Sequence, residues 1–113
     1  MQPSSAALLR DMLDAAGTIQ DYVRGKTSAD YFADRALRDA VQWNFAVIGE
    51  ALSQLHKIDA PIAEQVREWN RIIGFRNQLV HGYGVIKHGI TWDIIENKLP
   101  VLIDDLNRLL TIT

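Results

Sequence analysis

One run of residues limits the fold more than any other. Leu37, Val41, Phe45, Ile48, Leu52 and Leu55 recur every three or four positions. At 3.6 residues per turn they share one side of a long helix, whereas on a strand they would scatter over both faces. A helix that is apolar on one side must bury that side against other elements. Three further stripes supply them. Leu8, Met12, Ala16, Ile19 and Val23 follow Pro3, Ser4 and Ser5, and Gly25 is placed to end that helix. Thr27 or Ser28 can cap a short turn through Tyr31 and Phe32. Asp59 and Pro61 read as the start of a third helix through Ile62, Val66, Trp69, Ile73 and Val80, which fails near Gly82 and Gly84. Gly82 to Gly89 reads as a loop. Thr91 is expected to cap a last helix through Ile95, Leu99, Leu102, Leu106 and Leu109, with a kink or break at Pro100.

No useful period-2 alternation is present, and the connections between stripes are short. The expectation is an all-α antiparallel bundle of four to five helices, with residues 1–113 forming one domain. Apolar residues make up 48% of the chain, enough for a real core. Cysteine is absent, which removes disulfides, thiolate metal sites and cysteine nucleophiles and suits a reducing compartment. Neither an export signal nor a run of about 20 apolar residues is seen, so a cytoplasmic, non-membrane protein is expected.

The net charge of −2 argues against coating nucleic acid by bulk positive charge. Local charge differs. Between Trp69 and Trp92 there is no Asp or Glu, while Arg71, Arg76 and Lys87 are cationic and His81 and His88 can become so.

On a helical wheel Arg76 falls in the middle of the arc set by Val66, Trp69, Ile73 and Val80. A guanidinium there needs an acid, a carbonyl or another subunit. Glu50 on the neighbouring helix is one such acid, and a purely structural ion pair between them is the plainest alternative to a catalytic role. His81, five residues on, lies about 140° from Arg76 on an ideal helix. The two converge only if Gly82 re-aims the chain or if a symmetric dimer brings them together across its axis. Taken singly, His81 can be a helix C-terminal cap and Tyr83 a half-buried aromatic packing the loop. Taken together, they suit RNA phosphodiester cleavage. His81 can transfer a proton near neutral pH, and Arg76 offers a planar fork of donors to phosphate oxygens. Asn77 can orient the imidazole or bond a phosphate. No cluster of His and carboxylates has ligand spacing, so neither metal nor cofactor is expected. Tyr83 and Trp92 are the aromatics near the site available to stack on bases.

The run GFRNQLVHGY, Gly74 to Tyr83, carries an R-x4-H-x-Y pattern with Arg76, Asn77, His81 and Tyr83 in place. It sits within EWNRIIGFRNQLVHGY, preceded by AVQWNFAVIGEAL with Glu50 and followed by TWDIIENKLPVL. Over nearly its whole length the chain resembles HepT-like toxins of the HEPN superfamily. The resemblance implies a helical HEPN fold, a homodimer with two motif copies at a shared cleft, and metal-independent RNA endonuclease activity. It also implies a minimal nucleotidyltransferase antitoxin that transfers AMP to Tyr83, placing bulk and negative charge where an RNA phosphate should lie. Many members of that family carry an acid shortly after the tyrosine, where this chain has GVIKHGITW with Lys87 and His88. Lys87 is thus a candidate RNA contact or a solvated cation. Two other readings compete: an inactive helical dimer that holds the nucleotidyltransferase, and a nucleotide-binding partner of a two-part enzyme.

Overall fold

A computed structural model describes residues 3–82 and 86–112, and these are mostly helical with no strand. The elements are α1 (Pro3–Val23), α2 (Ser28–Ala33), α3 (Arg35–Ile58), α4 (Ala60–Ala63), α5 (Trp69–His81), α6 (His88–Asp93), a π-helical turn (Ile94–Lys98) and α7 (Leu99–Thr111). The all-α bundle expected from the stripes is what forms.

Local chemistry sets most of the boundaries. Gly25 follows α1 at φ 73°, a conformation open to glycine because it has no Cβ. Thr27 and Asp30 form a reciprocal capping box that starts α2. The Asp34 carboxylate accepts from the Leu37 N–H and starts α3.

Helix α3 is the centre of the bundle, packed against α1 on one side and α5 on the other, with α7 closing against α1. The Ser5 hydroxyl, near the start of α1, donates to Asp59 just beyond the end of α3, so these two helices run antiparallel. His56 near the end of α3 stacks on Trp69 at the start of α5 (4.4 Å), while Gly49 faces Arg76, so α3 and α5 are antiparallel as well. Leu9, Met12, Ile19, Val41, Ile48, Leu52, Leu55, Leu99, Leu106 and Leu109 are buried in one cluster. The stripes of α1, α3 and α7 therefore form the core as expected.

The third stripe does so only in part, Val66 being buried and Ile62, Trp69 and Ile73 packing against the core. The single helix expected from Asp59 to Val80 is divided into α4 and α5, and Val80 is exposed. The division falls where Glu68 adopts a left-handed backbone, φ 59°. Two carboxylates hold it there. The Glu68 carboxylate pairs with Lys98 and Arg71, both at 3.1 Å. The Arg67 N–H donates to the buried carboxylate of Asp105 on α7 (2.9 Å), and the Arg67 side chain donates to the same group. Burial pushes the Asp105 carboxyl up, but the Arg67 hydrogen bonds outweigh this and hold it below its ordinary value.

Two more expectations change. Thr91 is not a cap: α6 begins earlier, after Lys87, and Thr91 is buried inside it. His88 and Gly89 accordingly belong to a helix and not to a loop. The break expected at Pro100 is displaced upstream, into the π-turn. There the Leu99 N–H reaches back to the Ile94 carbonyl, and Pro100 takes a place in the first turn of α7, where its missing N–H costs no bond.

Candidate active site

Arg76 owes its position to a glycine on the opposite helix. A Cβ added at Gly49 would lie 2.7 Å from the Arg76 Cγ and closer still to its Cβ, so α3 and α5 approach at a distance only glycine permits. This brings Glu50, the next residue, to the guanidinium. One terminal nitrogen of Arg76 donates to Glu50 Oε2 at 2.6 Å, and the other donates to the side-chain oxygen of Asn77 at 2.9 Å. The arginine–carboxylate pair anticipated on the helical wheel is thus present. Glu50 is steadied in turn by the Gln54 side-chain amide, which donates to its other oxygen at 3.1 Å.

The guanidinium is not sealed in. The Arg76 side chain is 24% exposed and forms part of the floor of an open groove of about 580 Å³, whose walls include Leu8, Asp11, Trp43 and Val80. Trp43 is 71% exposed at its mouth. The Arg76 Nε is buried and has no hydrogen-bond partner among the described residues. Asp11, Asp14 and Glu50 also line the groove, so an anionic group entering from solvent would meet Arg76 as the one cation among its described lining residues.

His81 is the last residue of α5 and is exposed. Gly82 follows at φ 67°, its N–H returning to the Gln78 carbonyl, so the helix ends after His81 and does not bend before it. Re-aiming of His81 by Gly82 is therefore not realised. Helical geometry leaves Arg76 and His81 about 140° apart around α5. Asn77 is half-buried beside Arg76, and Lys87 is exposed at the start of α6. Tyr83 lies outside the described residues.

Trp92 is a poorer base platform than its sequence position suggests. It is half-buried and packs edge-on against buried Tyr31, ring centroids 5.5 Å apart. The exposed rings nearby are Phe32 on α2 and His88 on α6. The importance of Gly49 also escaped sequence reasoning. Its trace was a glycine deep inside the longest apolar stripe, immediately before the one acid that faces Arg76. Among the described residues no group of three or more His, Asp or Glu side chains is placed to hold a metal ion. No helix among them is long and apolar enough to cross a membrane.

Comparison with known proteins bears on this geometry. The family model described as "Ribonuclease HepT-like" matches residues 12–109, which include α3, α5 and Glu50, Arg76, Asn77, His81, Tyr83 and Lys87. The chain belongs to the HepT-like ribonuclease family. Among its HepT-like relatives, "Putative RNase MJ0127" of Methanocaldococcus jannaschii is 31% identical over 92% of this chain and 85% of its own length. A protein named "Probable ribonuclease HepT" from Thermococcus cleftensis is 22% identical over 90% of this chain and 92% of its own. The chain spans only 46% of a longer M. jannaschii relative, "Gamma-glutamylcyclotransferase and putative RNase MJ0434", at 26% identity. No solved structure gives a significant match.

Proposed function

We propose that this HepT-like chain is a cytoplasmic, metal-independent RNA endonuclease, the toxin of a toxin–antitoxin pair, acting as a symmetric dimer. The observation that carries the reading is the posture of Arg76: fixed by Glu50 and Asn77, open to a groove, and on the helix that ends in exposed His81.

The chemistry follows from those groups. An unprotonated His81 takes the proton of an RNA 2′-hydroxyl as its oxygen attacks the adjacent phosphorus. Arg76 offers its fork to the non-bridging oxygens as charge builds on the phosphorane. The 5′-oxygen leaves with a proton supplied by a protonated imidazole, giving a 2′,3′-cyclic phosphate and a 5′-hydroxyl end. One α5 points Arg76 and His81 in different directions. A two-fold axis beside that helix gives each Arg76 a histidine from the other copy and supplies two imidazoles for the two proton transfers. Asn77 and Lys87 support RNA binding. A nucleotidyltransferase antitoxin that transfers AMP to Tyr83 would silence the site by adding a phosphate beside it.

Induced expression of wild type beside His81→Ala tests this. Growth arrest and RNA cutting that vanish together in the variant are expected. A harmless wild type, folded and unmodified, would move the assignment to a module that only holds its transferase. For the modification, Tyr83→Phe should resist neutralisation by the transferase with ATP, and continued neutralisation would point to another acceptor.

A further inference from the structure

Helix α2 is only six residues long, and its two adjacent aromatics cannot both face inward. Tyr31 takes the interior and is fully buried, while Phe32 projects outward and is 48% exposed. His88, the first residue of α6, is exposed and comes within 6.3 Å of Phe32, the two rings tilted by 45°. Ile90, one turn of α6 away from Lys87, is 56% exposed.

This surface stands on a rigid base. The Tyr31 ring meets Phe32 edge-on (6.4 Å, 87°), Trp92 edge-on (5.5 Å, 68°) and His88 at a tilt (6.3 Å). Arg38 donates to the carbonyls of Tyr31 and Phe32, holding a guanidinium at the C-terminal end of α2. Phe32 and His88 therefore rest against a buried ring.

Charges of both signs lie around them, the acids being the exposed carboxylates of Asp30 and Asp34. Lys87 and Arg38 are cations, and His88 becomes one on protonation. The two acids close to Phe32 in the chain are occupied at helix starts: Asp30 accepts from the Thr27 N–H and Asp34 from the Leu37 N–H. Exposed ring faces with cations at their edge match a strand whose bases are unpaired and whose backbone is anionic. A duplex hides its base faces and cannot use such rings. The position suits the same substrate. Only six residues separate His81 from His88, so their Cα atoms are no more than about 25 Å apart.

We propose that Phe32 and His88 form a stacking platform for unpaired bases of single-stranded RNA flanking the cleavage site, with Lys87 and Arg38 against its phosphates. The proposal rests on the ribonuclease reading for its substrate, but its test does not need turnover.

The measurement is binding of a fluorescent single-stranded RNA oligonucleotide to full-length protein carrying His81→Ala, which prevents cutting during titration. Adding Phe32→Leu keeps an apolar side chain and removes the ring. Binding should weaken roughly 5- to 150-fold, the range for losing one stacked base. Phe32→Tyr should bind like the parent, and a hairpin duplex should show little dependence on residue 32. Equal binding by the leucine variant, or the same loss with the duplex, overturns the platform. If the leucine change instead disrupts self-association and leaves RNA binding intact, the patch belongs to a contact between copies and the proposal falls. RNA cutting by the wild type is scored separately. Cutting without a residue 32 effect refutes the platform alone, and an oligonucleotide effect without cutting refutes the nuclease alone. An absence of both binding and cutting refutes both.

Discussion

Gly49→Ala is the sharpest test of how α3 holds Arg76. The new methyl would meet the root of the Arg76 side chain, 2.7 Å from its Cγ and closer still to its Cβ. Carbon atoms pack at about 3.5–4.0 Å, so the helices must part by roughly 1 Å. A side-chain tip could swing aside, but a Cβ moves only with its backbone. Overpacking of this kind costs roughly 1–3 kcal/mol, partly offset by about 1 kcal/mol of improved helix propensity. A net loss near 1 kcal/mol corresponds to a Tm about 4 °C lower for a chain of this length. The functional effect should be larger, because a displacement of about 1 Å at a charge-stabilising group can cost on the order of a hundredfold in rate. Gly17→Ala and Gly74→Ala are the controls. Nothing lies within 4 Å of a Cβ at either position, so propensity alone should raise Tm by about 4 °C. Thermal unfolding followed by circular dichroism, with RNA cleavage assayed in parallel, separates the cases. A Gly49→Ala protein that is stabilised like the controls and cuts at the wild-type rate would refute the close-approach argument.

Arg76→Lys keeps the charge but cannot reach Glu50 and Asn77 together with a phosphate, so cleavage should fall by about a hundredfold or more with little change in Tm; full activity would reduce Arg76 to generic charge. Asp105→Asn should lower Tm at neutral pH by about 6 °C, from the loss of roughly 1.5 kcal/mol of charge-assisted bonding to a solvated Arg67. Because the Asp105 carboxyl titrates below its ordinary value of 3.8 in the fold, the stability it adds is complete above about pH 4 and is lost as pH falls through the folded-state value. Wild type should therefore lose stability more steeply than Asp105→Asn below pH 4, and parallel acid-unfolding curves would contradict the assignment.

The stripes of α1, α3 and α7 were readable because burial imposes helical periodicity directly on sequence. The third stripe misled for a long-range reason. Its break depends on Asp105 gripping Arg67 and on Lys98 gripping Glu68, partners that no local window contains. Thr91 has the chemistry of a cap, yet the helix starts earlier and draws Thr91 into its buried face. At the site, the Arg76–Glu50 pair was legible because a charge on an apolar arc demands an opposite one. Gly49 was passed over because a glycine's role lies in what approaches it. Trp92 is named from sequence and Phe32 is not, because nearness in sequence says nothing about which ring the fold leaves exposed.

The π-turn at Ile94–Lys98 amounts to a residue inserted into an otherwise continuous rod. Each added residue rotates everything beyond it by about 100°, so α6 and α7 need not share a face. Thr91 and Ile95 lock the near half, and Leu102, Leu106 and Leu109 lock the far half. Lineages could therefore remodel His88 and Ile90 without disturbing the leucines below, and a one-residue deletion between Ile94 and Lys98 is the single edit that would fuse the two histories into one straight helix.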